Sequence, residues 1–183
     1  MPIDVANRYP RPVILRDESK VTLRPMSRAD ASTLVDFFRA VPESERFFLK
    51  DDVTSPGLIQ GWIENLNYDY ALPILALDEH RVVGDAVLIR HRSASLQHSG
   101  EIRIVIDPGF RNKGLAVAMM TDLVDVAKRA GLEEVVFEFV HGPQTPAIEA
   151  AKFLGATEAG ELKDWVRDEK NRGHNVVFLK LKL

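Results

Sequence analysis

The stretch that most constrains this chain runs from Gly100 to Val140. "GEIRIVIDPG" alternates strictly, with Ile102, Ile104 and Ile106 on one side and Glu101, Arg103, Val105 and Asp107 on the other, so it reads as a strand. Asp107-Pro108-Gly109 ends it. Ala116, Met119, Leu123, Ala127 and Ala130 then recur at the helical period. Lys128 and Arg129 suit the negative end of the helix dipole, and Gly131 stands at the C-terminal cap. "EEVVFEFV" reads as a strand and follows after two residues. Strand, helix and strand with turns this tight form a right-handed parallel crossover.

The remaining elements extend that unit. "PVIL" reads as an edge strand in a Pro- and charge-rich segment, residues 1–20, and "VTLRP" (Val21 to Pro25) as a strand stopped by its proline. "SRADASTLVDFFRAV" predicts a helix that Ser27 or Asp30 can cap, with Leu34, Phe37, Phe38 and Val41 on one face. "SPGLIQGWIENL" predicts a shorter helix after Ser55, and "LPILALDEHRVVGDAVLIRHR" a hairpin turning at "DEHR". After the crossover come a short helix, "TPAIEAAKFL", and the strands "ATEAGELKDWVR" and "NVVFLKLKL". The expected class is α/β or α+β: a mixed sheet with helices on both faces, as one domain over residues 21–183 behind an N-terminal extension, 1–20.

Composition narrows the function by exclusion. A net charge of −3 provides no global positive field for nucleic acid or an anionic membrane, so neither is an expected partner. There are no cysteines, hence no thiolate metal site and no Cys nucleophile, which suits a reducing cytoplasm. The start, "MPIDVANRYPRPVILRD", lacks the apolar run of a signal peptide, and no stretch reaches the roughly 18 apolar residues of a membrane span. A cytoplasmic protein is expected. His91 and His98 lack metal spacing, His80 falls in a hairpin turn, and no metal is expected. No G-x-S-x-G elbow supports a serine nucleophile.

What needs explaining is "FRNKGLA", where Arg111 and Lys113 stand at the start of a helix and oppose its dipole unless an anion is bound there. Helix N-termini offer unpaired N–H groups to phosphate. A P-loop is excluded because Leu115 and Ala116 replace its Lys and Ser/Thr, and G-x-G-x-x-G is absent. What remains is R-x-x-G-x-A after a strand ending V-I-D-P. This resembles the acetyl-CoA motif, [QR]-x-x-G-x-[GA], of the GCN5-related N-acetyltransferase (GNAT) superfamily. Asn112 stands where the family commonly has Gly, and Ala116 is an accepted variant of Gly. "QTPAIEAAKFLGA" is similar to a second family motif, with Gln144 at its Asn position and Ala151 where a tyrosine often serves as the acid.

The resemblance implies the GNAT fold, with a sheet splayed at its centre, and acetyl-CoA as co-substrate. The N–H groups of Arg111, Asn112, Lys113, Gly114, Leu115 and Ala116 would hold the pyrophosphate. The main chain of Ile104, Val105 and Ile106 would pair with the pantetheine arm, and Gln144 would border it. It further implies an N-acetyltransferase that moves acetyl to a primary amine by direct attack, with a backbone N–H near Ile106 polarising the carbonyl. Glu101 is the candidate base; the alternative is an ion pair with Arg103, and Glu138 is a lesser candidate. Tyr68 and Tyr70 either replace the missing acid or pack as aromatics. The N-terminal third is similar to the acetyltransferase domain of bacterial protein-lysine acetyltransferases. The acceptor is therefore a protein lysine or a small amine, and Glu43, Glu45, Asp51 and Asp52 form either an acidic lip or a solvated connection. A non-catalytic acyl-CoA sensor is the other function class, to be favoured if Phe47 or Trp62 plugs the channel. For residues 1–20, a clamp on the sheet edge and a homodimer contact both stand open.

Overall fold

A computed structural model describes residues 7–183; residues 1–6 of the N-terminal extension lie outside the described part. Eight strands form one sheet: β1 (Arg11–Ile14), β2 (Lys20–Pro25), β3 (Ala71–Asp78), β4 (Arg81–Arg90), β5 (Ser99–Ile106), β6 (Glu134–Val140), β7 (Thr157–Arg167) and β8 (Gly173–Lys182). The order is β1-β2-β3-β4-β5-β6-β8-β7. Every neighbouring pair is antiparallel except β5–β6, the crossover predicted around α4 (Leu115–Arg129). The connection through the 15-residue helix is long enough to bring β6 up parallel to β5.

Alternation along the strands builds two cores. Ile74, Ala76, Ala86, Leu88 and Ile102 face α4 and α5 (Thr145–Phe153), joined by Met119, Leu123 and Phe137. Leu75, Leu77 and Val82 face the other way, against Leu34, Phe37 and Phe38 of α1 (Ala31–Ala40) and Ile59 and Ile63 of α3 (Pro56–Glu64). Helices thus cover both faces.

Three details depart from the expected layout. The first predicted helix begins as a 3-10 turn over Arg28–Asp30: Ser27 Oγ accepts from the Ala29 N–H, and the Asp30 carboxylate accepts from the Ser27 N–H while gripping Arg24. The hairpin turn is tighter than "DEHR", because only Glu79 and His80 separate β3 from β4, with Glu79 at φ +52°. A four-residue helix, α2 (Glu43–Arg46), occupies the segment read as a lip or a connection.

The described part of the N-terminal extension clamps the sheet edge. β1 pairs with β2, while Arg8, Tyr9 and Arg11 all bond the fully buried carboxylate of Asp122 on α4. The Arg16 N–H then donates to the Lys113 carbonyl at 3.0 Å, which carries the strap to the start of α4.

Candidate active site

β5 and β6 part company halfway. Their ladder contains Ser99↔Glu134, Gly100↔Val135 and Glu101↔Val136 and goes no further. Beyond that, β5 stays paired to β4 as far as Ile106↔Gly84, and β6 to β8 as far as Val140↔Val176. The inner edges of residues 102–106 and 137–140 therefore diverge, and the backbone groups that face the gap have no strand partner. Buried backbone amides and carbonyls need partners, so such a gap is a place for a strand-like ligand.

The helix start is shaped for the rest of that ligand. Asn112 (φ +59°) and Gly114 (φ +87°) both adopt the left-handed conformation, which turns the chain into α4 and leaves its first-turn N–H groups open. Asn takes this conformation more readily than most side chains, which explains its presence where the family commonly has glycine. A cleft of about 340 Å³ runs from this turn to the parted strands, lined by Ile104, Val105, Ile106, Arg111, Ala116 and Gln144 among others. Strand-like main chain, anion-binding N–H groups and an adjoining cleft suit a pantetheine arm and its pyrophosphate.

The cations at this helix start, which forms the lip of the cleft, are already engaged. Arg111 forms a bidentate pair with Glu45 of α2 at 2.6 and 2.9 Å and also donates to the Ile106 carbonyl. Lys113 pairs with Asp17 at 2.8 Å, an interaction that holds this exposed carboxyl down at about 2. Arg16 also lines the cleft, and its side chain makes no ion pair among the described residues. Nothing in the local pattern around Arg16 signals this role, because the strap alone delivers it. The aspartate of V-I-D-P is structural: buried Asp107 accepts from the Gly109 N–H at 2.8 Å and pairs with Arg81.

A larger chamber of about 770 Å³ opens on the opposite side of the parted strands, bounded by α1, α3, the segment after α2, β4 and β6. It shares Leu49, Ile104, Val105 and Gln144 with the smaller cleft, so the two spaces meet at the gap. Its walls are mostly apolar, and Phe47 and Trp62 belong to them. Gln144 is spent locally, its Oε1 accepting from the Val140 N–H at 2.6 Å.

The structure brings Glu101, Glu138 and Arg103 together around Lys50, a residue the sequence did not single out. Lys50 donates to Glu138 at 2.5 Å and to Glu101 at 3.0 Å, and Arg103 donates to Glu101 at 2.8 Å. Burial pushes the Glu101 carboxyl up, but the Arg103 and Lys50 bonds outweigh it and hold it below its usual range. Glu101 lines neither cavity, whereas Arg103, Lys50 and Glu138 line the chamber. Tyr68 donates its hydroxyl to the Met26 carbonyl and packs against the core, while Tyr70 lines the chamber beneath Arg92. Ala151 is fully buried in the core. Among the described residues, no cluster of three or more His, Asp or Glu could hold a metal ion, and no helix is long and apolar enough to cross a membrane.

Solved structures share this architecture at low identity. The ribosomal-protein-S5-alanine acetyltransferase of Vibrio fischeri superposes with a TM-score of 0.77 at 15% identity, covering 88% of this chain and 92% of that one. The GNAT domain of S. lividans PAT gives 0.77 at 19%, covering 94% and 96%. A Salmonella typhimurium protein solved with its cofactor acetyl-CoA gives 0.74 at 19%, covering 89% and 94%. At such identities the likeness shows the fold. No curated protein matches the chain. The family model for acetyltransferases (GNAT) matches residues 34–156, well over half of the chain, from the first helix through the lip to the turn after α5. The chain therefore belongs to the GNAT acetyltransferase family, enzymes whose acetyl donor is acetyl-CoA.

Proposed function

We propose that this protein moves an acetyl group from acetyl-CoA to a primary amine by direct attack, with the amine entering from the apolar chamber. One observation carries the reading: the cofactor cleft and the chamber lie on opposite sides of the parted β5 and β6 and meet at Ile104 and Val105. A thioester laid along β5 then presents its carbonyl to an amine without crossing the sheet. The main chain of Ile104, Val105 and Ile106 aligns the pantetheine arm, and an N–H near Ile106 polarises the acetyl carbonyl. The N–H groups of residues 111–116 receive the pyrophosphate. Arg111 and Lys113 join them once phosphate replaces Glu45 and Asp17, with Arg16 added from the strap and Gln144 bordering the arm.

Glu101 belongs to the ionic cluster that fixes Lys50 and Arg103 at the mouth of the gap. A carboxylate held low by two cations is a weak base. The acceptor is a protein lysine or a small amine, and the apolar walls favour an amine with an apolar stem. Phe47 and Trp62 stand in those walls, and Phe47 is half exposed, an arrangement that suits an enzyme better than a sensor.

Calorimetric titration with acetyl-CoA, followed by thiol release against lysine peptides and aromatic and aliphatic amines, tests the proposal. Micromolar binding with amine-dependent thiol release is expected. Binding with no release across the panel leaves the sensor as the better reading, and absence of binding overturns both.

A further inference from the structure

We propose that Asp85, at the centre of β4, accepts the proton that the acceptor ammonium must lose before it attacks; the inference rests on the acetyl-transfer reading above. Three geometric facts carry it. First, the ladder places Asp85 directly opposite Val105 of β5, one of the residues shared by the cofactor cleft and the chamber. Residues opposite each other in an antiparallel pair face the same way, so the carboxyl lies beside the position of the reacting carbonyl. Second, Asp85 lines the chamber through which the amine approaches. Third, the residue is half-buried, so its carboxyl reaches the chamber, while its Oδ1 is closed off from solvent and bonds to nothing among the described residues. A buried polar atom left without a partner is costly in a protein interior, and its persistence points to a ligand that completes it.

The surroundings explain why this carboxyl can act as a base. On the flanking strands Asp85 faces Leu75 of β3 and Val105 of β5, while α1 presents Leu34 and Phe38 to the same chamber. The charged groups facing that space are Lys50 and Asp51 after α2, Arg103 on β5, Glu138 on β6 and Arg167 on β7. Lys50 is bound to Glu101 and Glu138, Arg103 to Glu101, and Arg167 donates to the Asn171 carbonyl; none of them bonds Asp85. Burial without a cation pushes the Asp85 carboxyl up to about 7, where a base is both ionised and effective near neutral pH. Glu101, held low by its partners, has the opposite disposition.

The step balances without a further reactant. The Asp85 carboxylate takes one proton from the ammonium, leaving a neutral amine. The nitrogen lone pair forms the C–N bond to the acetyl carbon as the C–S bond breaks, and the pair from that bond stays on sulfur. A second proton from nitrogen neutralises the thiolate, and Asp85 returns its own proton to solvent. The sum is amide, free thiol and one released proton.

The test compares wild type, Asp85→Asn, Asp85→Glu and Glu101→Gln with the best amine of the panel, following kcat, KM and their pH dependence alongside calorimetric binding of acetyl-CoA. For wild type, kcat/KM rises to a limb near 7. Asp85→Asn binds acetyl-CoA normally, loses kcat by roughly 100-fold or more, and shifts its rising limb towards the amine's own value of about 10. Asp85→Glu recovers part of the loss, and Glu101→Gln keeps the limb near 7. An Asp85→Asn enzyme with wild-type kcat and limb overturns the inference while leaving the acetyltransferase intact. A change confined to KM overturns it too, because that would make Asp85 an anchor for the ammonium. Independently of any acceptor, NMR of the Asp85 carboxyl carbon should show titration near 7, and titration in the ordinary carboxylate range overturns the proposal. Failure of wild type to bind acetyl-CoA would instead sink the reading on which it rests.

Discussion

A half-buried carboxylate with one oxygen closed off from water and no cation beside it is a burden on the fold, and at Asp85 that burden has a definite pH dependence. Loss of hydration pushes the folded carboxyl up to about 7, above the roughly 4 of an unfolded chain, so the native state holds the proton more tightly. The stability this group confers is therefore complete below about pH 4 and drains away as pH rises to 7. Asp85→Asn removes the charge while keeping the shape. We expect the variant to melt several degrees above wild type at pH 8 and level with it at pH 4, measured by circular dichroism in matched buffers. Equal melting at pH 8 would mean that the native carboxyl finds a partner or water. A variant that gains stability as it loses turnover would show a residue retained for chemistry at a cost to the fold.

At the scale of elements, the N-terminal strap ties a distant edge to the cofactor lip. Asp122 is fully buried, and its charge is matched by Arg8 and Arg11 with the Tyr9 hydroxyl beside them. Asp122→Ala leaves Arg8 with Asp125 alone and Arg11 and the Tyr9 hydroxyl without their carboxylate, and we expect a loss of about 3 kcal/mol in urea unfolding. Arg16→Ala leaves the anchor intact, and we expect unchanged stability with roughly tenfold weaker acetyl-CoA binding, the scale of one charge-assisted contact. A stability loss in Arg16→Ala equal to that of Asp122→Ala would place Arg16 in the anchor and not at the lip. The contrast also shows what is legible in sequence. β5, α4 and β6 are legible because each repeats its own period and the turns between them are short. The lip is legible because the turn at Asn112 and Gly114 needs residues that tolerate positive φ. The strap and α2 are not: the partners of Asp122 lie more than 110 residues away, and four residues carry no period. Asp85 escapes notice because "VVGDAVLIR" reads as an ordinary alternating strand, and only the ladder with β5 reveals what the aspartate faces.

At the scale of the molecule, the stretch from α2 into the residues that follow it touches both the cleft and the chamber. Glu45 reaches the cofactor cleft and holds Arg111, while Phe47, Phe48, Leu49 and Lys50, which follow directly, wall the chamber. If Arg111 receives phosphate as proposed, a phosphate arriving at the helix start competes with Glu45 for the same guanidinium. On that reading cofactor binding breaks a partly exposed bidentate pair, whose net worth is on the order of 1 kcal/mol. Glu45→Gln removes the competitor and touches neither the parted strands nor the helix start. We expect it to bind acetyl-CoA about fivefold more tightly by calorimetry at low salt, with the advantage shrinking as added salt screens the wild-type pair. Tightening with unchanged acceptor KM would mean that Glu45 acts on the cofactor alone. Tightening together with a raised acceptor KM would show that the pair also holds the chamber wall in place, so that donor binding loosens the wall through which the amine enters. Unchanged or weaker acetyl-CoA binding in Glu45→Gln would mean that Arg111 stays with the Ile106 carbonyl and that the main-chain N–H groups receive the phosphate without it.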